Sequence, residues 1–393
     1  MKNSKRPTPI VDFLTEYADG ENSRLHMPGH KGIAPEGIPD ALKGMYKYDI
    51  TEIAGADNLY APDGIIAVSE REAGRIFGAK TYYCTEGSSL AIKAMLYLAL
   101  RHFENEHGSD PGGDKPSVIA IGKCHKAFYH AAELLNIKVD TIESDLDYLS
   151  TLSTKVNGLT VGVYVTYPDY FGTVIDLKAI KRKLEKTEIP LLVDGAHSAY
   201  FKFLQGDFAK DYPHPIDCGA DAVCTSAHKT LPTLTGAAYL HLSGSFSDVF
   251  SLVKHGFDIF GSSSPSYLIM ASIDAFNGVA EEFEEELCSF CKDVASVKAE
   301  IARMGFNVQK SDPMRLVVAS DEGFTGEDYA KALRACKCEP ECFDTDYVIM
   351  MLSPYNSIKD LERIKEAFSL LLKGKDALSG EAQKGYDCLV NFK

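Results

Sequence analysis

The sequence predicts an α/β protein with a mostly parallel central sheet flanked by helices, followed by a smaller α+β domain at the C-terminal end. Between residues 81 and 240, short apolar runs of strand type alternate with helical patterns, which is typical of a parallel sheet covered on both faces. From residue 306 to residue 372 the pattern becomes β-β-α-β-β-α, typical of a compact second domain. We therefore expect an arm and helix over 1–45, a large domain over 46–275 and a small domain with a tail over 276–393.

The individual elements follow from apolar periodicity and from turn residues. Thr8-Pro9 predicts a helix start, with Ile10, Phe13, Leu14 and Tyr17 on one apolar face. The predicted strands are 81–84, 117–121, 139–142, 159–165, 189–193, 222–225, 236–240, 306–309, 315–319 and 347–352. The predicted helices after the first are 66–76, 90–100, one from residue 127, 177–184, 268–304, 327–335 and 358–372. Polar clusters follow the strands of the large domain, and ligands of such sheets bind at the carboxyl ends of the strands.

Composition and charge restrict the class of protein. The chain has 393 residues, of which 45% are apolar and 25% charged, values typical of globular proteins. The formal net charge of −15 argues against nucleic acid as a partner and is compatible with a cationic substrate. The basic start, residues 1–7, is not followed by an apolar signal region, and no apolar run has the length of a bilayer span. We expect a cytoplasmic protein that binds neither membrane nor nucleic acid.

The chain contains 10 cysteines, which raise the question of a metal site. Cys288-x-x-Cys291 and Cys336-x-Cys338-x-x-x-Cys342 have spacings compatible with zinc. The first pair lies in a helix-like acidic segment without a second pair at knuckle spacing. Reduced structural thiols are therefore the preferred interpretation, and no metal is predicted.

Lys229 is the residue around which a functional site is predicted. It stands in Ser226-Ala227-His228-Lys229-Thr230, just past the apolar strand 222–225. We interpret it as a buried amine, whose lowered pKa favours a Schiff base with an aldehyde, as in pyridoxal 5′-phosphate (PLP) enzymes. The alternative is a surface lysine at a strand end, whose apolar stem lies along the protein.

The chain supplies the other parts that a PLP site needs. Asp194 ends an apolar strand and is suited to the pyridine nitrogen, although it is also suited to capping the next turn. Gly87-Ser88-Ser89 starts a helix and is suited to a phosphate group, although serine is also a common helix cap. His125, at a neighbouring strand end, is suited to stacking on the ring, and Ser226 and His228 add donors beside the lysine.

These motifs resemble those of the ornithine/lysine/arginine decarboxylases, PLP enzymes of fold type I that share the aspartate aminotransferase fold. The resemblance covers most of residues 8–275. It rests on His26-Met27-Pro28-Gly29-His30-Lys31-Gly32, Asp49-Ile50-Thr51-Glu52, Asp57-Asn58-Leu59, Gly87-Ser88-Ser89, Cys124-His125-Lys126, Tyr167-Pro168-Asp169-Tyr170-Phe171-Gly172, Asp194-Gly195-Ala196-His197, Ser226-Ala227-His228-Lys229-Thr230-Leu231-Pro232 and Ser263-Ser264-Pro265-Ser266-Tyr267.

The resemblance implies a role for each of these positions. Lys229 would form the Schiff base, Asp194 would pair with the pyridine nitrogen and His125 would stack on the ring. The implied phosphate contacts are Ser88, Ser89, Ser226 and His228. His197 would lie beside the cofactor, and Ser263 or a neighbour in its loop would reach the phosphate of a second subunit. A homodimer with active sites at the interface is therefore expected.

The chain departs from the family pattern at several positions. The family usually has Asp-Glu-Ala-His-Gly-Ala-His where this chain has Asp194-Gly195-Ala196-His197-Ser198-Ala199-Tyr200. Glu86 stands where Asn is common. The sequence shows neither a further C-terminal domain with a Pro-Pro-Gly loop nor an N-terminal receiver-like wing, so a short form of the family is expected. The departures leave the identity of the substrate open.

The expected activity is PLP-dependent decarboxylation of an amino acid, preferentially lysine, ornithine or arginine, to the amine and CO2. His228 or Lys229 would protonate Cα after CO2 leaves. Arg315 is compatible with a bidentate contact to a substrate carboxylate, but a structural surface arginine is the preferred interpretation. The alternatives are another PLP reaction on the same fold, namely an aminotransferase or a Cα–Cβ or elimination lyase, and a degenerate PLP-binding protein.

Overall fold

The computed structural model describes residues 6–108, 114–145, 147–321 and 323–373, so the predicted tail from residue 374 onward lies outside the described residues. The described chain divides into two compact units. The first unit comprises Met1–Tyr167, Asp176–Lys202 and His214–Glu281, and the second comprises Pro168–Ile175, Phe203–Pro213 and Glu282–Lys393. The second unit thus includes two short segments from earlier in the chain. The predicted domain boundaries after residues 45 and 275 stay predictions.

A mostly parallel sheet forms the centre of the first unit, as predicted. Its strands are β1 (Lys80–Cys84), β2 (Ser117–Ile121), β3 (Lys138–Ile142), β4 (Thr160–Thr166), β5 (Leu191–Asp194), β6 (Ala222–Thr225) and β7 (Ala238–Leu242). Within the described part of the chain the sheet has 7 strands, in the order β1-β7-β6-β5-β4-β2-β3. Only β7 runs against its neighbours there, because it pairs antiparallel with both β1 and β6. The carboxyl ends of β1 to β6 therefore lie along one edge of the sheet.

The described helices belong to both units. In chain order they are α1 (Pro9–Asp19), α2 (Asp40–Lys43), α3 (Met45–Tyr48), α4 (Ile65–Phe77), α5 (Gly87–His107), α6 (Lys126–Leu134), α7 (Tyr148–Lys155), α8 (Leu177–Leu184), α9 (Gly206–Asp211), α10 (Ala227–Thr230), α11 (Val253–Phe260), α12 (Tyr267–Arg303), α13 (Gly326–Ala335) and α14 (Ile358–Lys373). Short 3-10 turns occur at Ala199–Phe203, Pro215–Cys218 and Gly244–Leu252.

The main core of the first unit lies between the sheet and α5. This helix contacts β7, β6, β4, β1 and β5. Almost every residue from Leu90 to Leu100 is apolar, and most of these side chains are buried, as expected for a helix that is covered on more than one side. Burial of this many apolar groups, each worth about 1.5–3 kcal/mol for a large side chain, fixes the helix on the sheet. The first turn of α5 is thereby held at the carboxyl edge.

Asp57 organises the segment that leads into α4. Its carboxylate accepts backbone N–H groups from Asn58, Asp63, Gly64, Ile66 and Ala67. Burial alone raises the pKa of Asp57, but these backbone donors outweigh it, and the pKa is lowered from its usual range. The charged carboxylate therefore satisfies the free amides at the start of the helix.

The second unit contains an antiparallel sheet of its own. Its strands are β8 (Asn307–Val308), β9 (Arg315–Ala319), β10 (Cys342–Phe343) and β11 (Tyr347–Met351). Within the described residues their order is β10-β11-β9-β8. The core of this unit combines side chains from β9 and β11 with the end of α12, α13 and α14. The predicted β-β-α-β-β-α pattern is present, with β10 as the strand that the sequence reading did not locate.

Arg315, on β9, is a buried structural residue and not the surface arginine that was expected. Its side chain is 3% exposed, and Nε lies 3.3 Å from Asp312 Oδ2. A second nitrogen donates a hydrogen bond of 2.5 Å to the carbonyl of Asp169. The reason for the difference is that β9 is buried on both faces, which the sequence pattern alone does not show.

Two further expectations concern membranes and metals. Among the residues that the structure describes, no helix combines the length and apolar character needed to cross a membrane. The same residues contain no group of three or more His, Cys, Asp or Glu side chains that are placed to bind a metal ion. The described cysteines are free thiols, and Cys388 lies outside the described residues.

A pair of buried histidines lies in the first unit, with ring centroids 5.8 Å apart. His241 is fully buried, and its two nitrogens lie 2.9 Å from Thr81 Oγ1 and 3.0 Å from Thr225 Oγ1. Burial lowers the pKa of His241 to about 3 and lowers the pKa of His214 well below 6.5. Within the described residues, Nε2 of His214 is buried without a hydrogen-bond partner. Both rings are therefore neutral at physiological pH.

We expect the folded protein to lose stability as the pH falls below about 6.5, because the unfolded chain then binds protons that the buried pair does not accept. Each histidine should contribute a slope of up to about 1.4 kcal/mol per pH unit. His241→Gln should reduce the slope of the unfolding free energy in urea titrations between pH 7.5 and pH 5.5. His130→Gln, which alters an exposed histidine, should keep the wild-type slope. Equal slopes in all three proteins would refute the assignment.

Candidate active site

Lys229 lies at the carboxyl edge of the sheet, on the short helix α10 that follows β6. Its Nζ atom is 3.3 Å from His197 Nε2. The expectation of a buried lysine is wrong, because Lys229 is exposed. Strand β6 ends at Thr225, and the chain then turns, so the lysine extends from the edge of the sheet instead of entering the core.

Asp194 is the last residue of β5, beside β6, and is 2% exposed. Tyr164 donates its hydroxyl to Oδ2 at 3.1 Å, and the Ala196 N–H donates to Oδ1 at 3.1 Å. The Cys224 thiol lies 3.7 Å from Oδ1. The carboxylate therefore caps the following turn, as the alternative proposed, and is also held in one orientation at the edge where Lys229 lies.

The phosphate-binding turn predicted from Gly87-Ser88-Ser89 forms the start of α5. The hydroxyls of Ser88 and Ser226 are both buried and lie 2.7 Å apart, so the structure brings these two residues together. Ser89 is exposed. Gly87 has φ +72°, a conformation that favours glycine, and a Cβ atom there would come 4.0 Å from His228 Cε1. The turn thus opens towards α10.

A second glycine turn locks this arrangement. The Gly87 N–H donates to the carbonyl of Gly236 at 2.8 Å. Gly236 has φ +100°, and a Cβ there would lie 2.8 Å from the carbonyl oxygen of Thr85, closer than real side chains allow. The turn before β7 and the turn after β1 therefore approach each other through backbone atoms alone.

His228 is half-buried, and its protonation state follows from its contacts. Nδ1 donates to the carbonyl of Ala237 at 2.8 Å, because a carbonyl oxygen only accepts. Burial lowers the pKa of His228, which favours the neutral ring with an accepting Nε2. The neutral ring offers no proton from Nε2 to a phosphate group. The predicted phosphate contact of His228 therefore requires that the ring take up a proton.

His125 is half-buried at the start of α6, where its Nδ1 accepts the N–H of Ala127 at 3.2 Å. Burial lowers the pKa of the ring, and the charge of Asp194 acts in the opposite direction. The charge of Lys229 also acts on His125. The three predicted residues therefore lie within electrostatic range of one another, while the stacking role of His125 stays a prediction.

Ser263 lies in an exposed turn, residues 261–264, before α12. The N–H of its neighbour Ser262 donates to Glu86 Oε1 at 2.6 Å, and Glu86 directly precedes Gly87 in the sequence. The structure thus places this turn beside the phosphate-binding turn of its own chain. The contact of Ser263 with a second subunit stays a prediction.

Sequence reasoning missed two residues that shape the site. Tyr164 orients Asp194, and its signal was a hydroxyl-bearing residue inside an otherwise apolar strand, which needs a hydrogen-bond partner. The second is Thr230, whose buried hydroxyl has no hydrogen-bond partner within the described part of the chain. A buried hydroxyl without a partner, directly after Lys229 in the sequence, is a candidate donor to a bound group.

These features fit PLP. A phosphate group would meet a glycine turn without a Cβ, the paired hydroxyls of Ser88 and Ser226 and the unsatisfied hydroxyl of Thr230. The buried, oriented carboxylate of Asp194 would suit the pyridine nitrogen, and the amine of Lys229, an exposed residue, would suit the aldehyde. In an α/β sheet, the carboxyl edge is where such a ligand binds.

Comparison with known families gives the same assignment. The model of the family described as Orn/Lys/Arg decarboxylase, major domain, matches residues 8–317, most of the chain. The chain belongs to this family. The Orn/Lys/Arg decarboxylases are PLP-dependent enzymes that act on basic amino acids, and their fold is PLP fold type I.

Individual relatives are distant. The chain is 27% identical over 372 residues to the uncharacterized protein YaaO of Bacillus subtilis (strain 168). This alignment covers 88% of this chain and 74% of YaaO. The chain is also 27% identical over 397 residues to the arginine decarboxylase of the same organism. This alignment covers 93% of this chain and 77% of the arginine decarboxylase.

Solved structures show the same fold at lower identity. The lysine decarboxylase LdcF of Francisella novicida superposes with a TM-score of 0.76 at 16% identity and covers 94% of this chain. The match covers 60% of the LdcF chain, so this chain spans well under two thirds of its length. The predicted family resemblance and the predicted fold class are confirmed.

The departure from the Orn/Lys/Arg decarboxylase pattern at residue 195 has a structural explanation. A Cβ on Gly195 would lie 2.4 Å from Ser198 Oγ and 3.1 Å from the carbonyl oxygen of Cys224. Ser198 is fully buried and donates to the Gly195 carbonyl at 3.0 Å. The family pattern has the larger residue at the first position and Gly at the second, so this chain has the reverse pair. The Ser198 hydroxyl occupies the space where a side chain at 195 would begin.

We expect this pair to behave as one packing unit. Gly195→Ala alone should lower the free energy of unfolding by about 1–3 kcal/mol, because its Cβ overlaps the Ser198 hydroxyl. The same change in a Ser198→Gly background should cost less than half as much, with the remaining cost due to the Cys224 carbonyl. Urea unfolding of the two single variants and the double variant measures the coupling. Strictly additive effects would show that the two positions do not share this space.

Proposed function

We propose that this protein binds PLP and decarboxylates a basic amino acid, namely lysine, ornithine or arginine, to the corresponding amine and CO2. The observation that carries the proposal is the placement of Lys229 and Asp194 at the ends of neighbouring strands, in a member of the Orn/Lys/Arg decarboxylase family. The glycine and serine turn of α5 lies at the same edge and supplies the anion-binding part.

When bound, PLP supplies an electron-accepting ring for the electrons of the broken Cα–carboxylate bond. Lys229 would hold the cofactor through its amine, and Asp194 would keep the ring nitrogen protonated. Tyr164 and the Ala196 N–H orient that carboxylate and prevent its rotation away from the ring. Ser88, Ser226 and Thr230 would donate to the phosphate group.

The proton that replaces the carboxylate at Cα must come from a group near Lys229. His197 lies 3.3 Å from the lysine amine and is buried, so it orients that amine at the edge of the sheet. His228 is fixed by its bond to Ala237, which leaves Nε2 as the atom that takes up and releases a proton. We therefore assign proton delivery to His228 or to Lys229.

The preference for a basic substrate is supported by the relatives and by charge. Two of the three similar proteins named above are an arginine decarboxylase and a lysine decarboxylase, and the third, YaaO, is uncharacterized. The net charge of −15 favours the approach of a cationic amino acid. Neither observation distinguishes lysine, ornithine and arginine.

A screen of substrates tests the proposal directly. The purified protein, loaded with PLP, should release CO2 and form the amine from at least one of lysine, ornithine and arginine. Glutamate and leucine serve as acidic and apolar controls. Their kcat/KM should be at least about tenfold lower than that of the basic substrate, which corresponds to a difference of about 1.4 kcal/mol in transition-state binding. Formation of a keto acid without CO2 from every amino acid would overturn the proposal.

Substitution of the proposed cofactor lysine gives a second test. Lys229→Arg keeps the positive charge but removes the reactive amine, so turnover should fall by at least about 10³-fold. Borohydride treatment of the wild-type protein with PLP should fix the cofactor on the peptide that contains Lys229, and the variant should show no such label there. Lys123→Arg alters an exposed lysine after β2 and should retain both label and turnover. If Lys229→Arg kept both the label and the turnover, another lysine would be the one that binds the cofactor.

A second candidate is supported by the departures after β5. Gly195 and Tyr200 stand where the family pattern has glutamate and histidine, so two side chains with acid–base capacity are missing near Asp194. A transamination, an elimination, a Cα–Cβ cleavage or PLP binding without catalysis would leave the cofactor half of the site unchanged. The substrate screen separates these outcomes by product.

We also propose a homodimer. Several large apolar side chains of the N-terminal region are exposed in the single chain, namely Leu25, Met27, Ile33, Leu42 and Met45. If a second copy of the chain packed against these side chains, their apolar surface would be removed from water, which favours association. The family resemblance, in which each site is completed across the subunit interface, agrees with this assignment.

A further inference from the structure

The turn 261–264 is packed tightly against the start of α5. The Gly261 N–H closes α11 by donating to the carbonyl of Phe257 at 2.8 Å. A Cβ on Gly261 would lie 2.9 Å from Tyr60 Oη and 3.0 Å from Leu90 Cδ2. Leu90 follows directly after Gly87-Ser88-Ser89. Only glycine therefore lets this turn approach the helix that carries the phosphate-binding turn.

Both sides of the Ser262 backbone are held by side chains from other parts of the first unit. The Ser262 N–H donates to Glu86 Oε1 at 2.6 Å, and its carbonyl accepts from Tyr60 Oη at 2.7 Å. Within the turn, the Ser264 N–H donates to the Ser262 hydroxyl at 3.2 Å. We call the Glu86–Ser262–Tyr60 contacts the backbone clamp.

Tyr60 is suited to its side of the clamp. Burial, and after it the charge of Glu86, raise the pKa of Tyr60 to about 12, so the phenol keeps its proton at physiological pH. The backbone of Tyr60 is fixed in turn, because its N–H donates to Asn58 Oδ1 at 2.8 Å. The hydroxyl is therefore a stable donor to Ser262.

The charge of Glu86 also needs an explanation. Glu86 directly precedes Gly87, so its carboxylate stands next to the place where a phosphate group would bind, and like charges repel there. A neutral Asn is common at this position of the family pattern. The bond to the Ser262 N–H offsets this cost, because Glu86 supplies an accepting oxygen that reaches the turn 261–264.

We propose that Glu86 and Tyr60 are positioning residues that hold the turn 261–264 against the phosphate-binding turn of the same chain and thereby set the affinity for PLP. The proposal rests on the proposed function, since it assumes that PLP binds at the start of α5. It assigns to Glu86 a role that its charge alone would contradict.

Hydrogen exchange of the full chain without added PLP tests the clamp itself. Peptides that contain Ser262 should exchange about tenfold faster in Glu86→Ala, because the amide loses its acceptor, and several-fold faster in Tyr60→Phe. Glu86→Gln keeps an accepting oxygen and should stay near the wild-type rate. Asp258→Ala, which removes another exposed charge that acts on Tyr60, serves as the matched control and should also stay near it. Unchanged exchange in Glu86→Ala would refute the clamp.

Titration with PLP, followed by absorbance, tests the link to the cofactor. We expect Kd to rise about tenfold in Glu86→Ala and about fivefold in Tyr60→Phe. The double variant should show much less than the product of these factors, because both residues hold the same backbone unit. Glu86→Gln and Asp258→Ala should bind within about twofold of the wild type.

The outcomes separate the two proposals. A wild-type protein that binds no PLP refutes the proposed function, while the exchange measurement still reports on the clamp. A wild-type protein that binds PLP, together with equal or tighter binding by Glu86→Ala, refutes the positioning role and leaves the proposed function intact. Tighter binding would show that repulsion between Glu86 and the phosphate group outweighs any positioning.

Discussion

The arrangement of the site depends on one constraint, the buried carboxylate of Asp194. A carboxyl group that is 2% exposed is stable only if its oxygens form hydrogen bonds. The donors come from Tyr164 on β4 and from the Ala196 N–H after β5, while Thr166 and Cys224 are the register partners of Asp194 on β4 and β6. Three neighbouring strands must therefore end at the same level. That common level is what brings the end of β6, and with it Lys229, beside the carboxylate.

The other half of the site is fixed by backbone contacts instead of charge. Gly87 bonds to Gly236, and both the backbone N–H and the ring of His228 bond to Ala237. The segment before β7 thus ties the start of α5 to α10, although the two lie far apart in the sequence. Because β7 is antiparallel, its amino end lies at the edge where the other strands finish. The one reversed strand of the described sheet is therefore a requirement of the site and not an irregularity.

The sequence contained most of the fold and only part of the site. Strands such as 222–225 and helices such as 177–184 were predicted at their observed bounds, because apolar periodicity and flanking turn residues are local signals. The exposure of Lys229 was predicted wrongly, because an apolar strand before a residue does not reveal where the chain turns. The hydrogen bond from Tyr164 to Asp194 and the clamp on Ser262 join residues that are distant in sequence, so a local pattern could indicate that the Tyr164 hydroxyl needs a partner but not which residue that partner is. Burial of Arg315 was missed for the same reason.

Most departures from the family pattern follow Asp194, and one, Glu86, directly precedes the turn at Gly87. Lys229, Asp194 and the turn at Gly87 keep the residues that a PLP cofactor requires, whereas Gly195, Ser198 and Tyr200 differ. Ser198 fills the space that a side chain at 195 would enter, and Tyr200 is buried with its neighbours. Gly195 and Ser198 therefore differ from the family pattern as a packed pair, and Tyr200 is a buried side chain near them in sequence. The residues proposed to hold the cofactor thus keep the family pattern while the segment after Asp194 differs, and because one fold and one cofactor serve several reactions, the proposed substrate is identified by assay and not by the family assignment.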